Sequence, residues 1–227
     1  MGAAVGVICF PGSNCEHDVI AVLNELGGEA RLVWHTEEDL ADLDAVVVPG
    51  GFAYGDYLRP GAIARFSPVM GAVRALAQAR RPVLGICNGF QVLTEAGLLP
   101  GALMRNAGLR FVSRLVECEV VSTANVLTAS CAVGTVLRVP INHYEGNYVL
   151  DEAGLDALHA NDQVALRYCD NPNGSVDAIA GVANRAGNVV GLMPHPERAS
   201  SALLESCDGR VLLASFLAAA ARERASA

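Results

Sequence analysis

The segment Pro82-Val83-Leu84-Gly85-Ile86-Cys87-Asn88-Gly89-Phe90-Gln91 carries the clearest structural signal in this chain. Its first half is a short apolar run typical of a buried strand, and residues 90–96 have the pattern of a helix. Cys87 is therefore predicted at a tight strand-to-helix turn. Gly85 and Gly89 flank it like the glycines of Gly-x-Ser-x-Gly hydrolases, where they leave room for a strained backbone. We interpret this turn as a nucleophile elbow.

The start of a helix also suits the chemistry of a thiol. Unpaired backbone N–H groups and the positive end of the helix dipole favour the thiolate over the thiol. The alternative is a buried structural cysteine, because free cysteines are commonly packed into cores. The two glycines and the predicted turn favour a nucleophile at Cys87.

Composition excludes several classes of protein. The chain has 227 residues, of which 52% are hydrophobic and 18% charged, so we expect a single α/β domain over residues 1–227. The net charge is −8 and all 16 basic residues are arginine, which argues against a nucleic-acid partner. Without lysine there is no Gly-Lys-Ser/Thr phosphate loop, so any ATP that is consumed should be bound by another chain.

The cysteines and the hydropathy favour a cytoplasmic protein. The seven cysteines are widely spaced and form no Cys-x-x-Cys pair, which argues against a disulfide framework and against a thiolate metal site. We therefore expect no metal. No apolar run reaches membrane-spanning length and no basic leader precedes the first strand, so we expect no membrane association.

The first part of the chain alternates strands with helices. Predicted strands cover residues 4–10, 29–34 and 45–49, and a helix over residues 62–80 leads to the elbow strand. Ser13 or Asn14 is predicted to cap the first helix. This alternation indicates a mostly parallel sheet flanked by helices on both faces.

The second part of the chain has a different pattern. After the elbow helix we expect strands that are separated mostly by turns, at residues 109–121, 135–140, 163–169, 175–182 and 188–193. The last two of these are predicted to form a hairpin. This region should be an antiparallel extension along one side of the parallel sheet.

The loop over residues 49–61 is long and rich in glycine. It leaves the carboxyl end of a predicted strand, which is where open α/β sheets place their ligands. Its glycines allow backbone N–H groups to approach a reacting atom. We expect the loop to face the Cys87 elbow, although an ordinary surface loop remains the alternative.

A cysteine nucleophile needs a base, usually histidine, and a group that orients the base. A solvated or structural role is favoured for His17, His35 and His159, and the other two histidines carry a carboxylate two residues on, in His143-Tyr144-Glu145 and His195-Pro196-Glu197. Residues i and i+2 of an extended chain project to one side, so either histidine has a carboxylate within reach. The prolines at 194 and 196 hold His195 extended at the end of an apolar strand. We therefore favour His195, with His143 as its rival.

The segments at 85–91 and 195–197 together resemble those of the class I, or triad, glutamine amidotransferases. The likeness covers essentially the whole chain and is strongest for the small stand-alone subunit of the purine pathway. It implies a flavodoxin-like fold with a mostly parallel sheet. The sequence departs from the usual pattern at Pro60, where a small residue or cysteine is frequent, and at residues 142–146, where a His-Gly-Glu-Gly type segment is usual.

The resemblance implies a catalytic triad. Cys87 would be the nucleophile, His195 the general base and acid, and Glu197 the carboxylate that orients the imidazole. The reaction would be hydrolysis of the glutamine side-chain amide through a γ-glutamyl thioester.

The resemblance also implies three further residues of the site. Backbone N–H groups of Gly51 and Asn88 would hold the oxyanion, and Gln91 would position the glutamine.

The same resemblance implies partners. The ammonia would pass to a large ATP-dependent synthetase subunit, which makes formylglycinamidine ribonucleotide, and a small subunit would bridge the two. ATP and magnesium are expected on the synthetase, with no cofactor in this chain. Two other functions are open: a stand-alone cysteine hydrolase or peptidase on a similar fold, and a non-catalytic interaction subunit.

Overall fold

A computed structural model describes residues 2–226, with side chains to residue 222. Within this range the chain forms strands and helices that alternate at first. The strands, β1 to β11, are Ala4–Cys9, Glu29–Trp34, Ala45–Val48, Val83–Ile86, Ala102–Met104, Val112–Val120, Val136–His143, Asn147–Val149, Val164–Tyr168, Ile179–Ala183 and Val189–Leu192. The α-helices, α1 to α5, are Glu16–Glu25, Val69–Gln78, Asn88–Glu95, Glu152–Ala160 and Gly209–Ser226.

Nine strands form one sheet in the order β2-β1-β3-β4-β11-β10-β9-β6-β7. The first five strands in this order are parallel, and the pairs from β11 to β7 are antiparallel. The prediction of a parallel sheet with an antiparallel extension is therefore confirmed. β5 and β8 form a separate two-stranded sheet, which the sequence analysis did not predict.

The burial of side chains differs between the parallel and the antiparallel parts of the sheet. β3 and β4 are buried along their whole length, as expected for central parallel strands that are covered on both faces. In β6 the side chains from Val116 to Val120 alternate between buried and exposed, because one face of the extension meets solvent. α3 packs against β3, β4 and β11, and α1 packs against α5.

Two local predictions were wrong. The helix predicted over residues 62–80 is a short 3-10 turn at Ala64–Phe66 followed by α2, because Ser67 is extended (ψ 143°) before Pro68. Neither Ser13 nor Asn14 caps α1, whose N-cap is Cys15. The hydroxyl of Ser13 instead accepts a hydrogen bond from the backbone N–H of Phe10 (3.1 Å).

The parallel strands direct the chain toward one edge of the sheet. β4 and β11 are neighbours, with Ile86 opposite Leu192, so residues that follow these two strands emerge side by side. Within residues 2–226 no helix is long and apolar enough to cross a bilayer.

Candidate active site

The turn between β4 and α3 holds Cys87 in a strained conformation. Its backbone has φ 50° and ψ −105°, in the left-handed range that side chains avoid. Such a residue costs about 1–3 kcal/mol and persists only where its surroundings enforce it. The predicted elbow geometry is therefore present, and the strain lies on the cysteine.

The two flanking glycines are required by close packing. A Cβ on Gly89 would lie 1.8 Å from the carbonyl oxygen of Val48, and one on Gly85 would lie 2.6 Å from Cδ1 of Leu93. Neither glycine has a positive φ. Their role is thus to let α3 pack closely on β3 and β4, which closes the turn beneath Cys87.

His195 reaches the same end of the sheet from the neighbouring strand. It follows β11 by a short segment, and its backbone N–H donates to the carbonyl of Pro140 in β7 (2.8 Å). The thiol of Cys87 lies 3.9 Å from the carbonyl oxygen of Asn142, also in β7. The antiparallel extension therefore holds the histidine and covers the cysteine.

His195 and Glu197 form a buried pair. Nδ1 of the imidazole lies 2.6 Å from Oε1 of the carboxylate, and the two side chains are 3% and 0% exposed. Nε2 has no hydrogen-bond partner among the described side chains and remains available to a reacting group. Burial favours the neutral imidazole, but Glu197 and the thiols of Cys87 and Cys15 outweigh it and raise the pKa of His195.

The rival pair does not form. His143 lines the same cavity, but its Nδ1 lies 3.1 Å from Oδ1 of Asn106, and Glu145 pairs with Arg105 (3.5 Å). Burial and the nearby His195 lower the pKa of His143 to about 4. Of the two candidate histidines, only His195 is oriented by a carboxylate.

The cavity in front of Cys87 has a volume of about 290 Å³. Gly51 (φ 140°) lines it, so the glycine-rich loop faces the elbow as predicted. Asn88 is the first residue of α3, where a backbone N–H has no acceptor within the helix. Its side chain is buried and accepts a hydrogen bond from the backbone N–H of Ala53 (3.0 Å), which ties the loop to the elbow.

Gln91 also lines this cavity. Both ends of its amide are engaged, since Oε1 accepts from Nδ2 of Asn88 (3.0 Å) and Nε2 donates to the carbonyl of Glu145 (2.5 Å). A glutamine held in this way is a fixed part of the wall. All six residues singled out from the sequence therefore lie in or directly behind one cavity.

The sequence analysis missed several other cavity residues, among them Cys15, Asp56 and Arg198. Arg198 directly follows the His-Pro-Glu segment, which was a usable signal. Its guanidinium donates to the sulfur of Cys15 (3.2 Å). Cys15 stands in a loop without periodicity, and no pattern distinguishes it from a packing cysteine.

One group of side chains has the spacing of a metal site among the described residues. The ligand atoms of Cys15, His195 and Glu197 lie within 4.8 Å of one another. Nδ1 of His195 and Oε1 of Glu197 are hydrogen-bonded to each other, so a metal bound through these two atoms would replace the contact that orients the imidazole.

Comparison with known proteins agrees with this geometry. A sequence profile of the CobB/CobQ-like glutamine amidotransferase domain matches residues 3–210. The chain belongs to this family. The subunit PurQ of phosphoribosylformylglycinamidine synthase from Rubrobacter xylanophilus is 56% identical over 95% of the chain and 98% of the relative. The PurQ subunit from Sulfurimonas denitrificans is 51% identical over 95% and 99%.

Solved structures show the same relationship. A chain of PurLQS from Thermotoga maritima superposes with a TM-score of 0.89 at 39% identity, covering 96% of this chain and 99% of the other. A putative GMP synthase protein from Thermoplasma acidophilum gives a TM-score of 0.69 at 18% identity over 100% and 98%. The second similarity is one of fold alone. The predicted amidotransferase fold is thus confirmed.

Proposed function

We propose that this chain is the glutaminase subunit of a phosphoribosylformylglycinamidine synthase. It hydrolyses glutamine to glutamate and ammonia and supplies the ammonia to a synthetase subunit. The observation that carries the proposal is the position of the strained Cys87 in one cavity with the buried His195–Glu197 pair. The identity of 56% to a PurQ subunit over most of both chains supports the choice of pathway.

In the first half of the reaction the Cys87 thiolate attacks the side-chain amide carbon of glutamine. The oxyanion that develops is held by the backbone N–H groups of Gly51 and Asn88, and one such donor lowers the barrier by about 3 kcal/mol. Protonated His195 then gives its Nε2 proton to the amide nitrogen, and ammonia leaves. The product is a γ-glutamyl thioester on Cys87.

In the second half of the reaction the imidazole of His195 acts as a base. Nε2 of His195 accepts a proton from water, which attacks the thioester carbon. The tetrahedral intermediate collapses, glutamate leaves and the thiolate is restored. Glu197 holds Nδ1 throughout, so that Nε2 stays directed at the reacting atoms.

We further propose that the chain works within a complex with a large synthetase and a small bridging subunit. The similarity to a chain of PurLQS supports this assembly. ATP and magnesium are proposed to bind to the synthetase, because this chain has no lysine for a nucleotide-phosphate loop. The proposed location is the cytoplasm, in agreement with the seven cysteines, all of which are free.

The test compares two nitrogen sources in the complex reconstituted with the synthetase and bridging subunits of the same organism. We expect Cys87→Ser to abolish formation of formylglycinamidine ribonucleotide from glutamine and to leave formation from ammonium chloride unchanged. The matched control is Cys169→Ser, since Cys169 is exposed and lies outside the cavity.

Each alternative predicts another result. Loss of activity with ammonia as well would contradict a role confined to ammonia supply. Full glutamine-dependent activity in Cys87→Ser would indicate a non-catalytic subunit. Fast hydrolysis of peptides by the isolated chain, without glutaminase activity, would indicate a peptidase.

A further inference from the structure

Two carboxylates that line the cavity, Asp56 and Glu145, take no part in the proposed reaction. Asp56 lines the cavity together with Cys87 and Gln91. Its Oδ1 accepts a hydrogen bond from Nδ2 of Asn88 (3.1 Å), and the same amide group donates to Oε1 of Gln91 (3.0 Å). One buried amide therefore holds Asp56 and Gln91 next to each other.

The backbone around Asp56 is unusual. Asp56 itself has φ 53°, and Tyr54 and Leu58 on either side have φ 55° and 70°. Non-glycine residues in this region are strained, and they cluster where a loop must hold a functional group in place. The strained backbone of this loop thus holds the carboxylate of Asp56 at the cavity.

The charge of Asp56 is not balanced by the protein. Among the described residues no arginine or histidine forms an ion pair with it, and the charged group that acts on it is another carboxylate, Glu145. Burial and Glu145 raise the pKa of Asp56 to about 6, although the hydrogen bond from Asn88 opposes the shift. A cation in the cavity would relieve this repulsion.

A second unmet acceptor lies in the same cavity. His143 is 4% exposed, and its Nε2 has no hydrogen-bond partner among the described residues. Nδ2 of Asn106 donates to two carbonyls and Gly146 N–H donates to its Oδ1, so this oxygen faces Nδ1 of His143. Nδ1 therefore carries the proton and Nε2 is an acceptor. The cavity wall thus presents hydrogen-bond acceptors, which suit a ligand that carries several N–H donors.

We propose that the carboxylate of Asp56, supported by Glu145, binds the α-ammonium group of glutamine. This assignment rests on the proposed glutaminase function and adds a reason for its specificity. The ammonium group distinguishes free glutamine from other carboxamides, including those of asparagine or glutamine side chains within a peptide chain. A charged donor placed between two carboxylates also anchors the far end of the substrate while its amide carbon lies at the thiolate.

The experiment compares glutamine with glutaramate, which has the same carboxamide and carboxylate but no α-ammonium group. Both are assayed for ammonia release by the reconstituted complex. The wild-type complex should prefer glutamine, and Asp56→Asn should raise KM for glutamine by about 10- to 100-fold, the effect of losing a charge-assisted hydrogen bond. Hydrolysis of glutaramate should change less than about threefold, because this substrate never used the carboxylate.

Two further variants complete the test. Glu145→Gln should raise KM for glutamine by a smaller factor, and Asp170→Asn, at an exposed residue outside the cavity, should change nothing. An equal loss on both substrates in Asp56→Asn would overturn the proposal, since it would indicate a role in holding Asn88. A wild-type complex that does not discriminate the two substrates would overturn it without any variant. Failure of the glutaminase function itself is distinct, because the Cys87→Ser complex would then still hydrolyse glutamine.

Discussion

The carboxylate of Glu197 is where the proposed triad can be tested most directly. The substitution Glu197→Gln keeps the size of the side chain and removes its charge. The hydrogen bond to His195 is 2.6 Å long between side chains that are 3% and 0% exposed, so water does not screen it. Such a charge-assisted bond contributes about 1.5–3 kcal/mol, and we expect the free energy of unfolding to fall by about 2 kcal/mol below pH 6.5.

The loss of stability in Glu197→Gln should depend on pH in a defined direction. The pKa of His195 is raised in the folded protein, so the folded chain keeps a proton that the unfolded chain releases near its ordinary pKa of about 6.5. The pair therefore stabilises fully below about pH 6.5, and this contribution is lost as the pH rises through the folded pKa. Asp56 and His143, with folded pKa values of about 6 and 4 against ordinary values of about 3.9 and 6.5, also contribute to the slope up to about pH 7.5. Because the wild type and Glu197→Gln share these two groups, the difference between their slopes above pH 6.5 reports His195.

Urea unfolding at a series of pH values measures this slope, and ammonia release by the complex measures activity. Glu197→Gln should flatten the slope above pH 6.5 and reduce kcat by about 10³- to 10⁴-fold, because the imidazole loses its orienting partner. Glu197→Asp, which keeps the charge, is the control and should retain part of both properties. Wild-type turnover together with a wild-type slope in Glu197→Gln would refute the claim that this carboxylate orients His195.

Other predictions concern the elbow and the rival base. Gly89→Ala should destabilise the chain by about 1–3 kcal/mol and abolish glutaminase activity, since the new Cβ meets the carbonyl of Val48. Gly71→Ala is the matched control: nothing lies within 4 Å of its Cβ, and a stabilisation of about 0.5–1 kcal/mol is expected from helix propensity. Thermal unfolding checks both, and an inactive Gly71→Ala would contradict the packing argument. His143→Gln should keep more than about a tenth of the glutaminase rate, whereas His195→Gln should keep less than about a hundredth. Both rates are measured as ammonia release from glutamine. The reverse order would indicate that His143, not His195, is the catalytic base.

The sequence was sufficient to find those residues of the site whose conformation is set by their immediate neighbours in the chain. A strand followed by Gly-x-Cys-x-Gly places a thiol at an elbow, and two prolines hold His195 extended, so Cys87 and His195 were found from patterns of a few residues. That they meet depends on β11 pairing in parallel with β4, which brings Leu192 opposite Ile86. This contact is set by the whole sheet, so the local pattern favoured His195 as the partner of Cys87 but did not show the strand pairing that brings the two together.

The sequence was insufficient where function depends on tertiary contact. Asp56 lies in a loop whose glycines were recognised, but nothing in the local pattern shows that Asn88 holds its carboxylate or that Glu145 faces it. The interval between His143 and Glu145 was as suitable for a histidine-carboxylate pair as the one at His195. Their separation in the structure arises because Asn106, distant in sequence, occupies Nδ1 of His143.

The antiparallel extension is part of the catalytic unit. In the part of the chain that the structure describes, β7 is the edge strand of the sheet, so one side of its backbone has no strand partner, and this is also where a proline is tolerated. The carbonyl of Pro140 in this strand receives the N–H of His195, and the carbonyl of Asn142 faces the thiol of Cys87. An edge that would otherwise invite pairing with another chain is thereby used to hold the base beside the nucleophile. The parallel half supplies the reacting groups and the pairing of β4 with β11 brings them together, while the extension anchors His195, since without β7 its N–H would lose its acceptor.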